Sequence, residues 1–182
     1  MKEQVKYMDE VKKAMEYLSK NDKTLFIGQS VAYPGNVIYK TLADLPANKK
    51  IELPVFEEVQ LGISIGLAIE GCIPISVFPR FNFLLLAMNQ LVNHLDKITH
   101  LTKDGLKPKV IIKTMVGSKR PLHPGIQHSG DFTEAFKLLV HNVDVIKLED
   151  PEQIFPAYKK ALEREDGKST LLVEMGDYYA EK

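Results

Sequence analysis

A single cysteine, Cys72, stands in 182 residues. No internal disulfide can form, and a reducing cytoplasm is the simplest setting. Charge of one sign is missing too: 24 Lys and Arg balance 24 Asp and Glu. Bulk electrostatics therefore give no reason to expect a nucleic-acid or membrane-surface partner. Nor is there a clean apolar run long enough to span a bilayer. The longest, Leu61 to Phe78, is interrupted by Glu70, Gly71 and Pro74 and reads as helix, turn and strand. The amino end, MKEQVKYMDEVKKAMEYLSK, is charged and amphipathic, without the apolar centre of a signal peptide. The five histidines lack close Cys or carboxylate neighbours at ligand spacing, so no metal site is expected. No Gly-x4-Gly-Lys-Ser/Thr run exists to make a P-loop.

What the chain does have is alternation. Short aliphatic runs at Thr24–Gly28, Lys50–Leu53, Ile73–Phe78, Lys109–Thr114, Asp144–Leu148 and Thr170–Glu174 suit strands covered on both faces. Helical patterns lie between them, near Gln4–Lys20, Val59–Glu70, Phe83–His100, Phe132–Val140 and Pro151–Glu165. In the third of these, Leu84, Met88, Leu91, Leu95 and Ile98 recur at helical spacing. Pro151 suits a first helical turn with Asp150 as its N-cap. The expected fold is α/β: a doubly wound, mainly parallel six-stranded sheet with helices on both faces. In that arrangement ligands bind outside the strand carboxyl ends. No repeat or internal linker is visible, and residues 1–182 are read as one domain.

One run concentrates the chemistry. In LPVFEEVQLGISIG, Glu57 precedes Gly62 by five positions and Gly66 follows four later. Glycines spaced i, i+4 share a helix face and allow a second backbone to approach closely. A glutamate beside such a segment is expected to be desolvated, and burial makes a carboxyl group more basic and better suited to proton transfer. The plainer reading is a packing helix with an acid at its amino end.

This Glu-x4-Gly-aliphatic-x-x-Gly pattern resembles that of the pyrimidine-binding (PYR) domain of thiamin-diphosphate enzymes. The likeness is to transketolases and the β subunits of 2-oxo-acid dehydrogenase E1 components. It extends from Tyr7 to about Glu174 and includes FIGQSV, LPVFEE, FPRFNFLLLAMNQLVNHLDKI and GIQHSGDF in the family's order. The resemblance implies that Glu57, and not Glu58, hydrogen-bonds N1′ of the aminopyrimidine and favours its imino tautomer, so that the cofactor can lose its thiazolium C2 proton. It places Phe83 against the aminopyrimidine, with Phe81 and Pro79 of the same segment as further cofactor contacts. Read without the family, Phe78 and Phe81 fit a core. His128 takes a substrate-side acid/base role by the same likeness, and imidazole chemistry near neutrality suits it. Gly117-Ser118-Lys119-Arg120 offers two cations that could receive a substrate anion.

The family's diphosphate signature, Gly-Asp-Gly followed by Asn-Asn, does not occur, and with only eight residues after Glu174 a further carboxyl-terminal domain is not expected. The resemblance therefore implies a free-standing PYR subunit, half of an active site. A separate PP-domain subunit carrying Gly-Asp-Gly…Asn-Asn would hold Mg2+ and the diphosphate, most simply in a two-plus-two heterotetramer. The substrate would be a small carbonyl compound, a 2-oxo acid or ketose. A non-catalytic α/β binding or regulatory subunit that kept the fold is the alternative.

Overall fold

The structure is a computed structural model that describes residues 5–119 and 123–179. Its centre is a six-stranded, all-parallel sheet: β1 (Thr24–Gly28), β2 (Lys50–Glu52), β3 (Ile73–Phe78), β4 (Ile111–Val116), β5 (Val143–Leu148) and β6 (Ser169–Met175), in the order β2-β1-β3-β4-β6-β5. Consecutive side chains alternate between two cores, as strand geometry requires. Leu172 joins Ile75, Ile111 and Phe26 beneath α1 (Tyr7–Ser19) and α6 (Pro151–Glu163). Its neighbours Leu171 and Val173 join Phe78 and Ile112 beneath α2 (Glu57–Ile69). The short helix α3 (Phe81–Leu84) and α5 (Thr133–Leu139) pack on that same face. Every residue of β3 is buried, which is why its sequence reads as a continuous apolar run.

The doubly wound α/β fold expected from the sequence is present, with corrections at element ends. The β4 ladder begins at Ile111 because Val110 gives its N–H to the Ser169 hydroxyl (3.0 Å). Asp150 caps α6 as expected, accepting the N–H of Glu152 at 3.0 Å, with Pro151 in the first turn. The continuous helix expected over Phe83–His100 is not regular. After α3 the chain passes through a 3-10 turn (Leu85–Ala87), a π-helical stretch (Asn89–Leu95) and α4 (Ile98–Leu101). The wider turn, with Asp96 N–H bonded to Leu91 C=O at 2.9 Å, adds a residue to the helical path. The addition turns Asp96 inward, where its carboxylate accepts the backbone N–H groups of His141 (2.7 Å) and Asn142 (2.6 Å). Leu84, Leu91 and Leu95 stay buried through the irregularity, so the apolar stripe survives the change in helix type.

Among the described residues no helix is long and apolar enough to cross a membrane, and no three His, Cys, Asp or Glu side chains are placed to hold a metal ion.

Candidate active site

Glu57 is the first residue of α2, two positions earlier than the sequence pattern suggests. It sits where the helix dipole favours a negative charge, and it is 5% exposed. One oxygen, Oε1, accepts a hydrogen bond from Gln29 Nε2 at 3.1 Å. No hydrogen bond reaches Oε2 from the described residues. One turn on, Gln60 is fully buried and donates to Ser76 Oγ (3.1 Å) and the Val77 carbonyl (3.0 Å). These bonds pin the amino end of α2 over the carboxyl ends of β1 and β3. Gly28 makes room for them: a Cβ there would lie 2.3 Å from the Val77 oxygen, and its φ of +150° is one that side-chain-bearing residues avoid. Glu58 points the other way, exposed, and accepts from Asn89 Nδ2 at 2.9 Å.

The segment leaving β1 is held from below. The N–H groups of Ser30, Val31 and Ala32 converge on the Glu52 carboxylate at 2.6, 2.9 and 2.8 Å. Ser30 has a left-handed backbone, φ 55°, which costs an L-residue about 1–2 kcal/mol unless its surroundings hold it there. Neither Gln29 nor Glu52 was singled out from the sequence. A topological signal existed: Gln29 directly follows β1, and Glu52, which closes β2, is in register with Gly28. Both therefore lie at strand carboxyl ends, where doubly wound sheets gather ligands.

Beyond β3, the FPRFNF segment turns into α3. Phe83 is half-buried, and its ring centroid lies 5.5 Å from that of His128, tilted by 56°. Phe81 requires a correction. It has no exposed surface, and its ring packs against Phe132 edge-on at 5.6 Å and against Phe136 at 4.9 Å. The direct cofactor contact expected of it is closed off, and Phe81 is a core residue. Pro79 is also buried, in the turn between β3 and α3. No hydrogen bond or ring contact among the described residues joins Glu57 to Phe83 or His128. What these residues share is the carboxyl end of the sheet.

His128 closes a 3-10 turn (Ile126–His128). Its Nδ1 is buried and has no hydrogen-bond partner among the described residues, and the same holds for Asn82 Oδ1 beside Phe83. Such orphaned polar atoms cost free energy unless a ligand or water satisfies them. The His128 carbonyl accepts from Arg80 Nη1 at 3.3 Å, and partial burial pushes the Arg80 guanidinium below its usual value. Both groups press on Gly117, where a Cβ would lie 2.1 Å from the His128 oxygen and 2.8 Å from Arg80 Nη1. In the next residues, Lys119 gives its backbone N–H to Asp177 (2.6 Å), and Arg120 lies outside the described residues.

The glycine pair behaves differently from its sequence reading. A Cβ on Gly66 would meet nothing within 4 Å, and one on Gly62 would touch only the Gln90 side chain, at 3.6 Å. Among the described residues no backbone uses the close approach. Val59 and Ile63, on the outer surface of the same helix, are 46% and 40% exposed, and Val55 and Phe56 just before it are 70% and 60% exposed.

Residues 3–179 match the family model described as the transketolase pyrimidine binding domain, and the chain belongs to that family. Among curated relatives, the pyruvate dehydrogenase E1 component subunit beta of Gracilaria tenuistipitata var. liui is 27% identical over 87% of this chain and 50% of its own length. The 3-methyl-2-oxobutanoate dehydrogenase subunit beta of Mycobacterium tuberculosis is 26% identical over 80% of this chain and 42% of its own. The chain thus spans half or less of the length of these relatives. Among solved structures, a split-gene transketolase described as an inactive beta4 tetramer superimposes with a TM-score of 0.70 at 19% identity, over 95% of this chain and 52% of that one. Transketolase from Campylobacter jejuni subsp. jejuni NCTC 11168 gives 0.71 at 16% identity, over 94% and 26%. At these identities the structural likeness shows the fold.

Proposed function

We propose that residues 1–182 form the PYR subunit of a two-chain thiamin-diphosphate enzyme, acting on a 2-oxo acid or ketose-type donor by decarboxylation or by two-carbon or acyl transfer. One observation carries this reading. Glu57 is buried with one carboxylate oxygen fixed by a neutral amide and the other open, beside the exits of β1 and β3. The Gln29 amide orients that carboxylate without placing a charge beside it.

The residues present fit an aminopyrimidine. Glu57 Oε2 would meet a ring nitrogen, and the half-buried Phe83 offers an aromatic surface for a flat heterocycle. His128 Nδ1 and Asn82 Oδ1 are buried polar atoms that await partners. Bound thiamin diphosphate supplies the carbanion equivalent that adds to a substrate carbonyl, and the protein supplies orientation and proton management. In this division Glu57 holds and shares a proton at Oε2, Phe83 sets the plane of the bound ring, and His128 moves a proton on the substrate side. Arg80 and Gly117 fix the His128 backbone, so that its imidazole stays against Phe83.

The Gly-Asp-Gly…Asn-Asn signature does not occur in this sequence, and we assign the diphosphate and Mg2+ to a separate subunit that carries it. The open glycine face of α2 and the exposed Val55, Phe56, Val59 and Ile63 are the surface we assign to that partner, in a two-plus-two assembly. The single cysteine fits a reducing cytoplasm. Titration calorimetry with thiamin diphosphate and Mg2+ tests the division directly. Weak binding by this chain alone and tight binding by its co-expressed complex with a PP-domain chain are expected. Tight binding by this polypeptide alone overturns the half-site reading.

A further inference from the structure

We infer that Glu52 is a positioning residue of the site: it holds the loop leaving β1 so that Gln29 orients Glu57. The inference rests on the role proposed for Glu57 and adds a residue outside the motif. Three consecutive backbone N–H groups, from Ser30, Val31 and Ala32, point to one carboxylate at 2.6–2.9 Å. Bonds of this kind to an ionised acceptor are stronger than those between neutral groups, and three in succession fix the direction of the chain. They also account for the left-handed Ser30, since that conformation turns successive N–H groups to one side, as in anion-binding nests. Here the anion is part of the protein.

Gln29 is the residue between that loop and Gly28, whose close approach to Val77 anchors the other side. With its backbone clamped from both directions, Gln29 has one amide to offer, and it goes to Glu57 Oε1 at 3.1 Å. Glu52 closes β2, and Gly28 opposite it closes β1, so the carboxylate rides on the sheet rather than on a loop. Supporting groups on rigid elements hold a site to the tolerance that catalysis needs. Among the described residues the hydrogen bonds to the Glu52 carboxylate come from Ser30, Val31 and Ala32, and none joins it to Glu57 or to a residue assigned to substrate. Its influence passes through Gln29.

The full chain suffices for the test, with no partner or cofactor. Nitrogen-edited NMR follows the Gln29 side-chain amide through a pH titration of the carboxylates, and hydrogen exchange follows the backbone amides of residues 30–32. In the native chain the Gln29 amide is expected to shift with pH, and Glu57→Gln should abolish that shift. Glu52→Gln keeps the shape but turns an NH2 toward N–H donors. It should raise exchange at Ser30, Val31 and Ala32 at least tenfold and uncouple Gln29 from the Glu57 titration, while core amides stay protected. A Gln29 amide that still reports Glu57 in Glu52→Gln overturns the inference. If that variant does not fold, the native chain decides: unprotected amides at residues 30–32, or a Gln29 shift that survives Glu57→Gln, overturn it equally. None of these outcomes depends on whether the chain binds thiamin diphosphate, so failure here and failure of the functional reading are separately visible.

Discussion

Lys113 on β4 and Glu174 on β6 form an ion pair, 2.5 and 2.6 Å from Nζ to the two carboxylate oxygens, with neither side chain exposed. Tyr158 of α6 donates to Oε1 at 2.5 Å, and Tyr179 donates to Oε2. Burial pushes the Lys113 ammonium down from its usual value, and the adjacent Glu174 opposes that shift. The pair lies under α1 and α6, on the face of the sheet away from Phe83. Yet the strands it joins are those whose exits carry Gly117 and Gly176. The network thus ties the frame that carries the His128 loop.

Removing one member of this network should be costly, because it strands the other charge out of water. Glu174→Ala is expected to lower stability by about 3–5 kcal/mol, the range seen when a buried pair loses one partner. The double variant Lys113→Met/Glu174→Gln should recover much of that loss. Urea unfolding followed by circular dichroism measures both. Equal losses in the single and double variants would show that packing, and not the unpaired charge, sets the cost.

Alkaline pH should weaken the fold through the same cluster. Burial raises the hydroxyls of Tyr7, Tyr158 and Tyr179 above the ordinary tyrosine value, and the Glu174 charge raises them further. An unfolded chain ionises its tyrosines near pH 10 while the folded one resists. The tyrosine contribution is therefore complete below about pH 10 and is lost as pH rises toward the folded values. Lys113 acts in the opposite sense: its depressed folded value makes stability rise with pH until about 10.4, where the unfolded lysine also loses its proton. Above that point the tyrosines lead the fall, and Lys147, raised by its bonds to Glu149 and Asp131, adds to it. Denaturant midpoints between pH 9 and 12 should show it, and Tyr158→Phe should flatten it.

How much of this was legible in the sequence follows from range. The inner strands, buried on both faces, read as aliphatic runs, and the half-buried edge strands β2 and β5 keep enough β-branched and aliphatic residues to be legible beside them. The motif register separated Glu57, which turns inward, from Glu58, which turns to Asn89. Phe81 illustrates a limit: an aromatic near a ligand crevice and an aromatic in a core have the same composition, and only its contacts with Phe132 and Phe136 decide. The π-helical stretch was invisible because its cause, Asp96 capping the start of β5, spans 45 residues. The Glu52 clamp was invisible for a similar reason: its donors lie 20–22 residues upstream on another strand exit.

Gly117 is expected to tolerate no side chain. In Gly117→Ala the new methyl would need to displace the His128 carbonyl, 2.1 Å from its ideal position, which is backbone and has little room to give. Overpacking of this kind costs about 1–3 kcal/mol. The displaced loop should also separate His128 from Phe83, whose rings now stand 5.5 Å apart. Chemical shifts of the His128 ring protons, which sense the nearby Phe83 ring, report the separation. Unchanged shifts and unchanged stability in Gly117→Ala would contradict the arrangement.

The last prediction concerns the residue on which the functional reading turns. Glu57→Gln keeps the size of the side chain and its contact with Gln29, but it removes the charge that, in the proposed function, would share a proton with the bound heterocycle. Loss of a general acid/base group lowers rates by on the order of 10²–10⁴. In the complex with a PP-domain chain, hydrogen–deuterium exchange at C2 of bound thiamin diphosphate should slow by that order while the assembly stays intact. Glu58→Gln is the internal control, because Glu58 is exposed and bonded to Asn89 on the outer side of α2, so exchange should stay near the native rate. If the Glu57 variant exchanges as fast as the native complex, proton sharing at that carboxylate is not what activates the cofactor. The buried, half-satisfied Glu57 then needs a different account, in which its open oxygen binds substrate or anchors the partner chain.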